Sequence, residues 1–339
     1  MNRYYKGLLF PVVLAVRLIR RIKDNPSHRI KKLFAYDCAR FRRYAGSVSD
    51  ISRGVLLARI IMAYHVLEKG ITMPRRRLGF GRAAVVDLIS QIERFEAHFG
   101  REDAQVNHAV GVIKEYYALH QGAHFEMSSD AEYWGHIEQF CTAHSSVPAS
   151  LQIKTNREEF FSHNDASFPL FAASRHTSRY YEGVVEVERI IAAVKLAMTA
   201  PSACNRQFIK VYCVSNHKKR DAVLALQNGN RGFGADADKL LVVTADLAGN
   251  RWAEERNDLY TNAGIFIMNL CYALHYHRIA HCILNWSVNP EQDREAHRLL
   301  GVPESEVVAA ILSCGNAPKH FMLAASPRKS VNEIFREVQ

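Results

Sequence analysis

Within Ser174-Arg-His-Thr-Ser-Arg179, two arginines, one histidine and three hydroxyl residues fill six positions. Such a cluster can give charge-assisted hydrogen bonds to a phosphate, Arg175 and Arg179 offering planar forks, Thr177 a hydroxyl and His176 a ring nitrogen. Basic and hydroxyl residues also mix in ordinary surface loops. A second segment, Ala200-Pro-Ser-Ala-Cys-Asn-Arg-Gln207, runs from a helix end into a strand. Its small residues Pro201, Ser202 and Ala203 let a flat ligand approach the backbone, and the amides of Asn205 and Gln207 can meet the edge of a heterocycle. Composition alone would equally make it a helix stop. The glycine-rich turn Asn228-Gly-Asn-Arg-Gly-Phe-Gly234 lacks the G-x-G-x-x-G order and precedes a strand, which excludes a Rossmann dinucleotide site there.

Other constellations carry less. Of His275, His277 and His281 only the last two are spaced for one helical face, and no carboxylate accompanies them, so no metal is expected. His65 and Glu68, at i and i+3, could act as acid and base, but a helix-packing pair is the favoured reading. Cys204 has no partner at C-x-x-C spacing and reads as a small packing residue. Arg75, Arg76 and Arg77 stand in a glycine-containing turn that could seat an anion or form an exposed loop. The seven cysteines make an odd set without a C-x-x-C pair, which argues against a disulfide framework and for a reducing cytosol.

The elements that must position these groups fall into two vocabularies. Residues 51–67, 83–99 and 106–119 repeat apolar side chains at helical spacing, and Ser129 with Glu132 predicts a capping box before Trp134. Residues 145–169 lose periodicity and collect Ser, Asn, His and Pro, the composition of a linker. Beyond it, helices at 185–200, 218–227, 254–277 and 290–300 alternate with strands at 208–214, 240–244, 280–284 and 307–313, which predicts one sheet covered by helices. From Ala263 to Leu274 only Asn269 is strongly polar, so that helix must be buried on every side. A second copy across a two-fold axis is the economical cover.

The formal charge of +10 lies entirely at the front of the 339-residue chain. Residues 1–43 hold 12 Lys and Arg against Asp24 and Asp37, and the remaining 32 basic and 32 acidic residues cancel. Residues 7–16 are apolar but half the length of a bilayer span, and Arg17, Arg20, Arg21 and Lys23 follow in place of a cleavage site. Residues 1–23 therefore read as a basic amphipathic helix suited to an anionic membrane surface. A solvated helix packed on the body is the plain alternative. Aromatics among later basic residues would also suit single-stranded RNA, although nucleic acid is disfavoured.

Taken together in this order, Arg175-His-Thr-Ser-Arg179 and Pro201-Ser-Ala-Cys-Asn-Arg-Gln207 resemble the nitroreductase-like family of FMN-dependent oxidoreductases. So do Asn262-Ala-Gly264, Cys282-Ile-Leu-Asn285, Leu300-Gly-Val-Pro303, Ile311-Leu-Ser-Cys-Gly315 and the basic pair Arg328-Lys329 before Val331-Asn-Glu-Ile334. The resemblance covers about residues 170–339. It implies an α+β, nitroreductase-like fold with a mixed sheet flanked by helices. It further implies a homodimer with two FMN sites, NAD(P)H as reductant and a small-molecule acceptor. It puts Arg175, Thr177 and Arg328 on the FMN phosphate, with His176 and Lys329 beside them. Arg179 comes at the N1/O2 edge of the flavin, where a cation stabilises developing negative charge. The backbone of Pro201, Ser202 and Ala203 with Asn205 and Gln207 would cover the ring from the partner subunit, and Asn230 and Asn285 would add weaker polar contacts. Thr177 stands where the family more usually has Ser, and residues 218–246 are short, which leaves the acceptor undetermined.

The preceding helical half lies outside that family core. Its block Tyr64-His-Val-Leu-Glu-Lys-Gly-Ile-Thr-Met73 with Gly79-Phe-Gly81 resembles N-terminal extensions associated with capsule and exopolysaccharide synthesis. The expected organisation is a basic arm over 1–46, an all-α domain over 47–145, a linker over 146–169 and an FMN-binding domain over 170–339. The expected activity is hydride transfer from NAD(P)H through FMN to an acceptor, in the cytoplasm or at the inner membrane face. The rival is a non-catalytic flavin-binding accessory protein of polysaccharide assembly.

Overall fold

The structure, a computed structural model, describes residues 25–45 and 52–339. The apolar and basic stretch 7–23 lies outside the described residues. Helix α1 (Pro26–Tyr44) starts where Pro26 fills the first turn and the Asn25 side chain accepts from Ser27 N. It buries no side chain and is tied to the body by ion pairs of Arg29 with Glu254 and Asp37 with Arg256.

Four helices follow, α2 (Arg53–Ile71), α3 (Arg82–Phe99), α4 (Ala104–Gly122) and α5 (Ala131–Ala143). Their apolar faces, including Ile60, Leu67, Leu88, Ile92, Ile113 and Ile137, meet in one core. The N-cap of α5 is Asp130 and not Ser129 of the expected capping box. Asp130 accepts from Tyr133 N and pairs with Arg82, while the Ser129 hydroxyl donates backward to Glu126 O. A carboxylate at this end also suits the helix dipole.

The second unit comprises β1 (Ile153–Asn156), α6 (Arg157–Phe160), α7 (Phe168–Ser174), α8 (Val187–Ala197), β2 (Ile209–Val214), α9 (His217–Leu226) and β3 (Lys239–Asp246). It continues with α10 (Asp258–Tyr276), β4 (Ala280–Asn285), α11 (Pro290–Leu300), β5 (Glu306–Gly315), β6 (His320–Leu323) and α12 (Val331–Ile334). The main sheet runs β2-β3-β5-β4 and is antiparallel at every pairing, which corrects the expected mixed sheet. The reason is topological. Strands β3 and β4, joined through α10, do point the same way, but β5 inserts between them and leaves no parallel neighbours. Strand β1 lies inside the stretch read as linker and pairs with β6, Ile153 opposite Leu323 and Asn156 opposite His320. Four residues are too few to display an alternation, and β6 was hidden for the same reason. Phe160 and Phe161 of that stretch also enter the core on one face of the sheet.

On the other face α8 and α10 cover Leu241, Val243, Ala310 and Leu312. Helix α10 is not buried all round within one chain: Phe266, Leu270 and Leu274 point in, whereas Ile265 and Met268 remain 42% and 37% exposed. The amide of Asn269 is spent locally, its Nδ2 donating to Ala197 O and Thr199 Oγ1 at the end of α8.

Candidate functional site

The segment between α7 and α8 is extended at Arg175 and crosses the edge of β4, where Ser178 N donates to His281 O at 3.0 Å. Ser178 is buried and its carbonyl accepts from Tyr181 Oη, while Arg175, Thr177 and Arg179 face a common space. They line a cavity of about 850 Å³ together with His176, Met268, Tyr272, Ile283 and the chain at residues 324–328, which brings in Arg328. No carboxylate is among its lining residues. Nε of Arg175 and Nε of Arg179 are both buried without a hydrogen-bond partner. Orphan guanidinium donors in a carboxylate-free cavity are the complement of an anionic ligand.

The helical domain closes one wall. His65 of α2 lines the cavity and meets Arg179, Nη2 to Nε2 at 3.2 Å. An arginine only donates, so His65 Nε2 accepts and its proton sits on Nδ1, which faces Glu68 Oε2 at 3.3 Å. Glu68 is fully buried and also accepts from His108 Nε2 at 2.8 Å and from Ser326 N and Oγ, both at 3.0 Å. Burial alone would raise its pKa. The hydrogen bonds from His108, His65 and the Ser326 backbone outweigh burial and hold it at about 2. The stabilisation from ionised Glu68 is therefore complete above its unfolded value near 4.5 and lost as pH falls toward 2. The expected result is that the stability gap between wild type and Glu68→Gln, about 3 kcal/mol near neutrality, closes between pH 4.5 and 2 in urea titrations. A gap independent of pH over that range would contradict the assignment.

The structure gathers Arg175, His176, Thr177, Arg179 and Arg328 in this cavity. Lys329 lines an adjoining, more apolar cavity of about 420 Å³ that shares Arg328, Ser326 and His65 with it. Pro201, Ser202 and Gln207 lie elsewhere, on a smaller cavity of about 160 Å³ with Met198 and Phe266. That loop is held by Ala203 N donating to Asn262 Oδ1 at 2.7 Å and by Gln207 N donating to Ser202 Oγ. Cys204, Asn205 and Gln207 all have positive φ, a cost of about 1 kcal/mol each that recurs where a loop must present its backbone. Helix α10 runs between the two places, Phe266 at one and Met268 with Tyr272 at the other.

Asn230 and Asn285 are not in the main cavity. Asn230 Nδ2 donates to Leu224 O and Gln227 O, which consumes the amide in its own turn, and Asn285 accepts from Gln227 Nε2. Ser326 is the residue the sequence does not flag, and His65 with Glu68 reads there as a helix-packing pair: their i,i+3 spacing is visible, but Arg179 lies 114 positions from His65 and Ser326 258 positions from Glu68. The arginine turn is an exposed loop, one of the two readings its composition allowed, and Arg75 is paired there with Asp236 at 2.9 Å. No group of His, Cys, Asp and Glu fit for a metal occurs among the described residues.

No protein-family model matches the chain, nor does any curated protein. Among solved structures, a nitroreductase family protein of Streptococcus pneumoniae is similar with TM-score 0.45 and 20% identity, over 51% of this chain and 100% of that one. An FMN-dependent nitroreductase of Clostridium difficile gives 0.38 and 22%, over 43% of this chain and 86% of that one. A nitroreductase family protein of Clostridium novyi gives 0.40 and 14%, over 44% and 86%.

Proposed function

We propose that the chain is an FMN-dependent oxidoreductase, taking reducing equivalents from NAD(P)H and passing them to a small-molecule acceptor. The observation that carries this reading is the cavity itself, with the guanidinium groups of Arg175, Arg179 and Arg328 around a space that has no carboxylate in its lining. FMN, when bound, would supply the hydride chemistry. The chain's own part is to bind and orient. Arg175, Thr177 and Arg328 would hold the phosphate, and Arg179 would place a fixed positive charge against the pyrimidine edge of the ring. Because His65 takes one Arg179 donor and leaves Nε buried and unpaired, that charge is aimed before ligand arrives. At about 850 Å³ the cavity is within the 300–1,000 Å³ typical of cofactor sites.

The reading includes a homodimer. Ile191, Leu196 and Met198 on and after α8, and Ile265 and Met268 on α10, form an exposed apolar face at the helices that separate the two cavities. A second copy seated there would bring its 201–207 loop toward Met268 and Tyr272. A role in polysaccharide synthesis and contact with anionic membranes through residues 1–23 belong to the same proposal. Liposomes with acidic lipid should then co-sediment the full chain, weakly in high salt, and lose it when residues 1–23 are deleted. Undiminished sedimentation of the truncated chain would contradict the membrane role.

Steady-state oxidation of NADH or NADPH by FMN-loaded protein, with a quinone or nitroarene present, tests the enzyme. Turnover that disappears in Arg179→Ala supports it. FMN binding without turnover on any acceptor would favour the non-catalytic accessory reading.

A further inference from the structure

We propose that Glu68, on the helical domain, is a positioning residue that sets two arginines of the anion cavity at once, Arg179 through His65 and Arg328 through Ser326. The inference rests on the cavity reading above and assigns the helical half a part in it. Four donors fill the four lone-pair positions of this one buried carboxylate: His65 Nδ1, His108 Nε2, Ser326 N and Ser326 Oγ. Two of these lead to guanidinium groups. His65, fixed in the Nδ1–H form by Glu68, turns its Nε2 lone pair to Arg179 Nη2 at 3.2 Å. Ser326, fixed by both its N–H and its hydroxyl, turns its carbonyl to Arg328 Nη1 at 2.8 Å.

The backbone at Ser326 supports this. Its φ of +40° is costly for a residue with a Cβ and persists only where neighbours hold it. Glu68 supplies that hold with two bonds. His108 closes the far side, accepting from Ser150 Oγ at 2.7 Å, so the carboxylate is itself locked from the segment behind it. A helix that merely packed on the second domain would not need a saturated carboxylate at the contact.

The test is a double-mutant cycle on the full chain, read as FMN affinity by flavin fluorescence quenching, between Glu68→Gln and the pair Arg179→Ala, Arg328→Ala. An amide in place of the carboxylate sets a donor against donors. Glu68→Gln is expected to weaken FMN by at least about tenfold with the arginines present and by no more than about twofold without them. Equal losses in both backgrounds would show general damage and overturn the proposal, as would no loss in either. If Glu68→Gln does not fold, half-exposed His65 replaces it in the cycle with Arg179→Ala. His65→Phe should weaken FMN, His65→Gln should restore part of it through its amide oxygen, and indifference to both changes would overturn the proposal. A wild type that binds no FMN rejects the function above but not this inference. The Nε–H resonances of Arg179 and Arg328 in flavin-free protein then decide it, shifted in Glu68→Gln if the carboxylate positions them and unmoved if it does not.

Discussion

Replacing Arg175 and Arg328 together with Ala is expected to weaken FMN binding at least about a hundredfold. The two side chains approach one cavity from different parts of the sequence, Arg175 from the segment after α7 and Arg328 from the chain after β6. Each would give a charge-assisted bond to the phosphate worth about 1.5–3 kcal/mol, and two such losses amount to about 3–6 kcal/mol. Neither arginine pairs with a carboxylate among the described residues, so their removal should leave the unfolding midpoint almost unchanged. Riboflavin, which lacks the phosphate, should bind the wild type and the double variant about equally. Unchanged FMN affinity in the double variant would reject the phosphate assignment, whatever the acceptor chemistry turns out to be.

The second large effect concerns the separation of the two motifs. Within one chain the arginine cavity and the 201–207 loop are different places, divided by α10. If a site is completed by the partner's loop, a chain with Arg175→Ala and Arg328→Ala and a chain with Asn205→Ala should each bind FMN poorly alone. Mixed, they should recover one intact site in every heterodimer, because one pairing joins good arginines to a good loop. No recovery despite demonstrated subunit exchange, or a monomer at micromolar concentration with full affinity, would contradict the shared site. The exposed Ile265 and Met268 make the monomeric outcome costly, since both would stay in water.

What could be read ahead of the structure followed how local each signal was. Helix α11 was placed to the residue because its ends are written locally: Asn289 and Gln292 form a reciprocal cap, Pro290 fills the first turn and Gly301 adopts the left-handed exit. The clustering of Arg175, Thr177 and Arg179 was legible because the three stand within five consecutive residues. Strands β1 and β6 were not, since each has four residues and exists only by pairing across the whole second domain. The sheet was misread as mixed because strand order depends on where β5 inserts, which no local pattern records. Asn230 is the complementary case: an amide in a glycine-rich turn looks wholly available to a ligand until the carbonyls of Leu224 and Gln227 are seen to take its Nδ2. The contribution of α2 to the cavity wall was the least legible of all, because His65 and Glu68 meet Arg179 and Ser326 only across 114 and 258 positions of sequence.

Whether the basic cavity holds flavin is decided by a visible absorption spectrum. The full chain is purified, mixed with FMN in excess, freed of unbound flavin by gel filtration, and its visible absorption spectrum is recorded before and after denaturation. The expected result is a protein-bound flavin spectrum with close to one FMN released per chain, absent when Arg175 and Arg328 are both Ala. A folded, colourless wild type after the same treatment would contradict the claim.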